Sequence, residues 1–167
     1  EECPKCGRML VLPSGPVKSK ILIAGEFPGF EEIRRGTPWI GKAGEILRTE
    51  LMLAGVNPDT CRITNLWLHS KVTEDECPID FHYTRLLQEM QGREAILIMG
   101  SDMFNVMVPG ESIMERNGLD FHSEDLPAGI RVAIAMVNPA IAFRDKLGET
   151  RWAIRRFARE VRNERTL

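Results

Sequence analysis

The chain has 167 residues, 43% of them apolar and 28% charged, with 14 Gly and 10 Pro. That composition at that length suits one globular domain and excludes disordered, collagen-like and coiled-coil classes; no apolar run approaches the ~20 residues of a membrane span. The net charge of −2 argues against a protein that lives on the phosphate backbone, which is usually basic.

In chain order, Cys3-Pro4-Lys5-Cys6-Gly7 is a chelating knuckle. Nothing before it has the apolar core of a signal peptide, so a cytoplasmic chain is expected. Residues 20–24 (KILIA) read as a first strand, since a short, almost continuously apolar run is what burial on both faces of a parallel sheet requires. Residues 43–54 follow as a helix, with Ile46, Leu47, Leu51 and Leu53 at three-to-four spacing and Gly55 as the residue that closes it. Residues 62–66 (RITNL) are the second strand. Pro78 opens a second helix at its first position, running through Leu86, Leu87 and Met90 to Gly92. Residues 95–99 (AILIM) are the third strand, and the helix after Gly100 carries Met103, Val106 and Met107 on one stripe. Residues 131–136 (RVAIAM) are the fourth strand; a last helix over residues 149–161 points Trp152, Ile154, Phe157 and Val161 inward. Strands alternating with helices imply βαβ units. The expected fold is therefore a three-layer αβα sandwich around a central four-stranded parallel sheet, with residues 1–167 as a single domain. Residues 139–167 carry eight basic against four acidic side chains, so this end is +4 and the remainder −6. That excess is either a solvated helix face or a positive end that steers toward phosphate.

In open parallel sheets, ligands sit beyond the carboxyl ends of the strands. The segments there are Gly25-Glu26-Phe27-Pro28-Gly29, residues 65–69, Gly100-Ser101 and Asn138-Pro139-Ala140. Four cysteines (Cys3, Cys6, Cys61, Cys77) in such a chain point to metal rather than disulfides.

Those rim segments, with Cys3-x-x-Cys6, Gly36-Thr37-Pro38-Trp39-Ile40-Gly41-Lys42-Ala43-Gly44, Ile63-Thr64-Asn65 and Met99-Gly100, resemble the uracil-DNA glycosylase superfamily over nearly the whole chain. Within it they are most similar to the iron–sulfur branch called family 4. The resemblance implies a monofunctional DNA glycosylase, a hydrolase that extrudes uracil or a related 5-substituted uracil and cuts its N-glycosidic bond. Trp39 falls where the family stacks an aromatic on the flipped base, the other reading being a core aromatic. Asn65 falls where a side-chain amide reads uracil by donating to one edge atom and accepting from its neighbour; its plain reading is a turn residue at a strand end. Phe27 stands where other branches place a catalytic Asp, which leaves Glu26 and the backbone to position water. Asn138 replaces the His that opens the last motif, so the departing base is steadied by a neutral donor, weaker than a charged one.

The same resemblance puts an apolar wedge at Ile141 and Phe143 with Arg144 on a phosphate; alternatively the two apolar residues anchor the final helix. Ser101 opens a helix whose N-terminus suits a phosphate. For the metal, the resemblance implies Cys3 and Cys6, then His69 where the family carries Cys, then Cys77 or His82. Cys61 competes for the third place; the roughly 26 Å spanned by eight strand residues keeps it and His69 from sharing one centre, and the Ile63-Thr64-Asn65 anchor of the resemblance selects His69, leaving Cys61 as a small buried apolar residue. Three thiolates plus His69 imply a [4Fe–4S] cluster; with His82 in place of Cys77, zinc is the better match. DNA, single- or double-stranded, is the implied partner. The expected setting is a monomer in a bacterial or virus-infected cytoplasm, where a replication or polymerase partner is a further possibility. The alternative function is a glycosylase-fold module that binds single-stranded or modified DNA without excision.

Overall fold

The computed structural model describes residues 1–140 and 147–165. Its centre is a five-stranded sheet formed by β1 (Ile21–Gly25), β2 (Arg62–Asn65), β3 (Ala95–Met99), β4 (Leu119–Asp120) and β5 (Val132–Met136), in the order β2-β1-β3-β5-β4. The four expected strands are parallel to one another, and β4 pairs antiparallel with β5. The helices are α1 (Phe30–Arg35), α2 (Lys42–Leu53), α3 (Ile79–Glu89), α4 (Ser101–Met107), α5 (Ile113–Arg116) and α6 (Leu147–Arg165).

Period-two alternation divides the core into two layers. Ile21, Ile23, Leu97 and Ile134 face one cluster, completed by Leu47 and Leu51 of α2 and Ile154 and Phe157 of α6. Leu22, Ala24, Ile96 and Ile98 face the other, with Leu86 and Met90 near α3 and Met103 and Phe104 of α4. Every residue of β1, β3 and β5 is buried, as strands covered on both faces must be. The result is the expected αβα sandwich.

Beyond the two short helices α1 and α5, which were not expected, five details differ from expectation, the first being Leu53, placed on the stripe of α2 but 71% exposed. The short edge strand β4 escaped because two residues carry no period. Pro78 stands just before α3 rather than inside its first turn. Val106 is only half-buried, its place in the core taken by Phe104. Trp152 does not point inward: it is 50% exposed. The buried stripe of α6 is Ala153, Ile154, Phe157, Ala158 and Val161, and Trp152 lies one residue out of phase with it, so its ring crosses Gly118 at the turn into β4. A Cβ there would stand 2.3 Å from the indole.

The basic excess of α6 is largely engaged within the molecule. Arg151 and Arg155 reach the buried Glu50 of α2 at 2.8 and 3.2 Å, and Arg156 donates to the Gly118 carbonyl and to Asp120, both at 2.7 Å. With Arg162, which donates to the Ala54 carbonyl at 3.2 Å, four of the eight charges thus hold the helix to the sheet and to α2, which favours the structural reading of that end. Among the described residues, no helix is long and apolar enough to cross a membrane.

Candidate functional site

The carboxyl ends of β1, β2 and β5 meet at a cleft of about 190 Å³, smaller than the ~300–1,000 Å³ usual for drug-sized ligands and scaled to a single ring. Glu26, Phe27, Trp39, Asn65 and Asn138 all line it, with Glu32 and the Gly41–Gly44 turn closing the far side. The β1–β2 register sets Gly25 opposite Asn65. A Cβ on Gly25 would lie 2.2 Å from the Trp39 indole and 2.7 Å from Asn65 Oδ1, so the missing side chain lets ring and amide close over the strand end.

Trp39 holds φ at 58°, the one positive φ outside glycine among the described residues. Such a conformation costs on the order of 1–3 kcal/mol and persists only where the surroundings enforce it. Here its indole Nε1 donates to the Thr64 carbonyl at 3.2 Å, and its own carbonyl accepts from Arg48 Nε at 3.2 Å. The indole is 8% exposed; it packs on the core and walls the cleft at once, so both sequence readings describe part of it. Asn65 is 2% exposed, yet its Oδ1 is buried without a hydrogen-bond partner. A buried unpaired acceptor is costly and marks a place where a donor belongs. Across the cleft, Asn138 Oδ1 accepts from the Ala140 amide at 3.0 Å, a turn that leaves its Nδ2–H groups as the remaining donors.

Glu26 lies over Gly100, whose φ of +103° and absent Cβ make room for the carboxylate. Burial raises its pKa above the ordinary glutamate value; the Asp102 charge adds to the rise, while the Asp102 and Ser101 backbone N–H groups and Lys71 oppose it. Lys71 is itself paired with Asp102 at 2.5 Å. A neighbouring cleft of about 290 Å³ shares Glu26 and Asn138 and extends to Ser101. The first amides of α4 are thus turned to the protein's own carboxylate.

On the other core layer, Cys3, Cys6, His69 and Cys77 bring their ligand atoms within 4.8 Å of one another. Cys3 and Cys77 Sγ are 3.8 Å apart, and Cys6 Sγ is 3.4 Å from His69 Nε2. The knuckle is closed by Gly7 N–H to the Cys3 carbonyl and Cys3 N–H to the Arg8 carbonyl, both 2.8 Å. Burial pushes the Cys77 thiol up to about 12, and the adjoining Cys6 and Cys3 add to this. For Cys6 burial acts in the same direction, but the Arg8 backbone and side chain outweigh it and the net shift is downward. His82 Nε2 stands 3.3 Å behind Cys77 Sγ, and burial, then His69 and Arg85, lower its pKa to about 4. Three thiols and an imidazole around one point, all buried but the half-buried Cys6, are a donor set for a soft or borderline metal, and they fit a metal centre. Cys61 belongs to the opposite core layer, with its Sγ 3.8 Å from the Asn57 carbonyl.

Compared with known proteins, residues 12–162 match the model of the uracil DNA glycosylase superfamily. The chain belongs to that superfamily. It is 23% identical over 151 residues to a type-4 uracil-DNA glycosylase of Thermotoga maritima, covering 85% of this chain and 76% of the relative. It is 35% identical over 68 residues to a type-4 enzyme of Pyrobaculum aerophilum, covering 40% and 35% respectively.

Within this superfamily member, the structure gathers Glu26, Phe27, Trp39, Asn65 and Asn138 at one cleft, and Ser101 at its neighbour. Ile141, Phe143 and Arg144 lie outside the described residues. Two bracing residues were not expected from the sequence: Glu32 on the cleft wall and Arg85 outside the cleft. Glu32 accepts the Gly29 N–H at 3.0 Å and braces the turn bearing Phe27; its place three residues after Gly29 is a capping-box spacing that signals it. Arg85 of α3 contacts the backbone of β2, and no local pattern marks it.

Proposed function

We propose that this glycosylase-superfamily domain excises uracil, or a 5-substituted uracil, from DNA, and that the cleft takes the extruded base. The observation that carries this reading is the buried, unpartnered Oδ1 of Asn65 beside the Trp39 indole. Uracil presents an N3–H donor next to an O4 acceptor, so an amide with a vacant acceptor pairs with it, whereas cytosine offers no proton at N3. The Trp39 face and Phe27, which is 42% exposed, supply apolar walls for a base removed from its stack.

In the reaction the C1′–N1 bond breaks and its electron pair leaves with the base. Asn138 Nδ2–H donates to the oxygen on which that charge collects. Water, held by Glu26 and the backbone of the Gly25–Gly29 turn, attacks C1′ of the cationic sugar and gives its proton to Glu26, from which it passes to the departing anion. Only the ionised form of Glu26 does this. Because burial and Asp102 raise its pKa, activity is expected to fall off on the acid side above the ordinary glutamate value of 4.5. Asp102→Asn removes the like charge and leaves Lys71 to act on Glu26, so the acid limb of kcat/KM should move to lower pH. A limb that does not move would assign the titration to another group.

A neutral Asn138 favours a second reading, a domain that binds DNA and no longer excises. Incubation with uracil-containing single- and double-stranded oligonucleotides, followed by alkali, tests the first. Strand breaks are expected at stoichiometric enzyme, and Asn138→His is expected to raise the rate about tenfold or more through a charge-assisted donor. No breaks with either form would leave the binding reading in place.

The centre formed by Cys3, Cys6, His69 and Cys77 is proposed to hold an iron–sulfur cluster, to which thiolates are the usual ligands. One observation favours zinc as a second reading: the 3.8 Å Cys3–Cys77 separation is the edge of a tetrahedron around one ion with metal–sulfur bonds of about 2.3 Å. In either form the metal's part is to tie the amino-terminal knuckle to the segment that follows Asn65.

A further inference from the structure

We infer that Arg85 is a positioning residue for Asn65: it stands in for the missing neighbour strand at the outer edge of β2 and so fixes the amide that faces the cleft. The inference rests on the base-reading role of Asn65 for its functional meaning, and on hydrogen bonds alone for its geometry.

β2 is an edge strand. Successive residues of a strand turn their N–H and C=O groups to opposite sides. Ile63 faces outward and exchanges two bonds with Ser14, both 2.9 Å; two residues on, Asn65 must face outward too, and the bridge to Ser14 has ended. An unpaired carbonyl there, next to a buried side chain, is an obligation some group must meet. Arg85 meets it. Its Nη2 donates to the Asn65 carbonyl and, at 3.3 Å, to the Leu66 carbonyl, while Nη1 reaches Thr64 Oγ1 at 3.3 Å. On the inner side the chain is tied to β1 through Leu66 N–H to the Gly25 carbonyl at 2.8 Å and Trp67 N–H to the Glu26 carbonyl at 2.7 Å. Asn65 is thereby held from both sides, with its amide over Gly25.

A planar fork can serve three acceptors at once, which the single head of a lysine or the thioether of a methionine cannot. Arg85→Met should free the outer carbonyl and let the Asn65 peptide turn. A displacement of the order of 1 Å at such a group costs about 100-fold in rate, so kcat/KM for uracil excision should fall by about that factor, with Arg85→Lys in between. The deciding measurement is the pair of substitutions. If Arg85 acts through Asn65, adding Arg85→Met to Asn65→Ala should cost almost nothing more, because two residues serving one contact are not additive. Additive losses would overturn the inference, since a general effect on folding adds to the loss of a contact.

Hydrogen exchange on the free proteins provides a readout without substrate. The Leu66 and Trp67 amides should lose protection in Arg85→Met, while those of β3 keep theirs. Unchanged protection at residues 66 and 67 would also overturn the inference. If the unaltered chain excises no uracil, the functional reading falls, and the exchange result still decides whether Arg85 positions Asn65.

Discussion

Asn65→Ala should lower uracil excision by about 10³-fold, the cost of removing a preorganised hydrogen-bonding group from the site of charge development, and yet leave the protein about as stable as before. The two halves of this result have one cause. Asn65 is 2% exposed and its Oδ1 has no partner in the folded chain, so the native state already carries the penalty of an unpaired buried acceptor, about 1–3 kcal/mol. Truncation removes that penalty and leaves a small void in its place, and the two offset to within about 1 kcal/mol. Asn65→Asp retains an acceptor for N3–H but loses the donor to O4, and should show an intermediate loss. Calorimetry beside the oligonucleotide assay separates these outcomes. A large drop in melting temperature would make Asn65 a structural residue, and full activity in Asn65→Ala would take the base-reading assignment away from it.

Cys77→Ser should empty the metal centre and destabilise the domain by about 3 kcal/mol or more, since metal binding free energy is folding free energy where the ligands come from separate segments. At about 2–4 °C per kcal/mol for a chain of this size, the melting temperature should fall by roughly 10 °C. Cys77 is fully buried, and its thiol is pushed up to about 12 by burial and by the adjoining thiols. The Cys77 thiol is therefore poorly placed to ionise until a cation compensates it. The first segment to loosen should be the amino-terminal arm. Apart from the proposed metal, that arm is tied to the 65–69 segment by the Val11 N–H to the Leu68 carbonyl at 2.6 Å, and limited proteolysis should cut it first. Metal analysis of the unaltered protein distinguishes the candidates. Iron with acid-labile sulfide and a broad visible shoulder marks a cluster, and one zinc per colourless chain marks a single ion. No metal, with an unchanged melting temperature in Cys77→Ser, would remove the centre altogether.

The parallel strands were legible because β1, β3 and β5 are buried from end to end, and a continuously apolar run of five residues has few other uses. The segments at their carboxyl ends were legible as motif residues for the same reason: topology sends every such loop to one rim. Glu32 was half-legible, through its spacing from Gly29. Trp152 misled because an apolar residue near a stripe is indistinguishable from one on it until the helix phase is known. β4 is too short to carry a pattern.

By itself, the order of residues determined the sandwich, the rim and the list of chemically able side chains, since strand burial and glycine-rich turns are local properties. Only the tertiary structure decided which of those side chains share a space. That Cys77 and not Cys61 joins His69 depends on which side of the sheet each sulfur faces. That Asn65 lacks a partner, that Trp39 is held at φ 58°, and that Arg85 completes the edge of β2 all depend on groups far apart along the chain. Contacts of that kind are settled by packing and by the need to pair every buried polar group, and neither leaves a period or a spacing in the sequence.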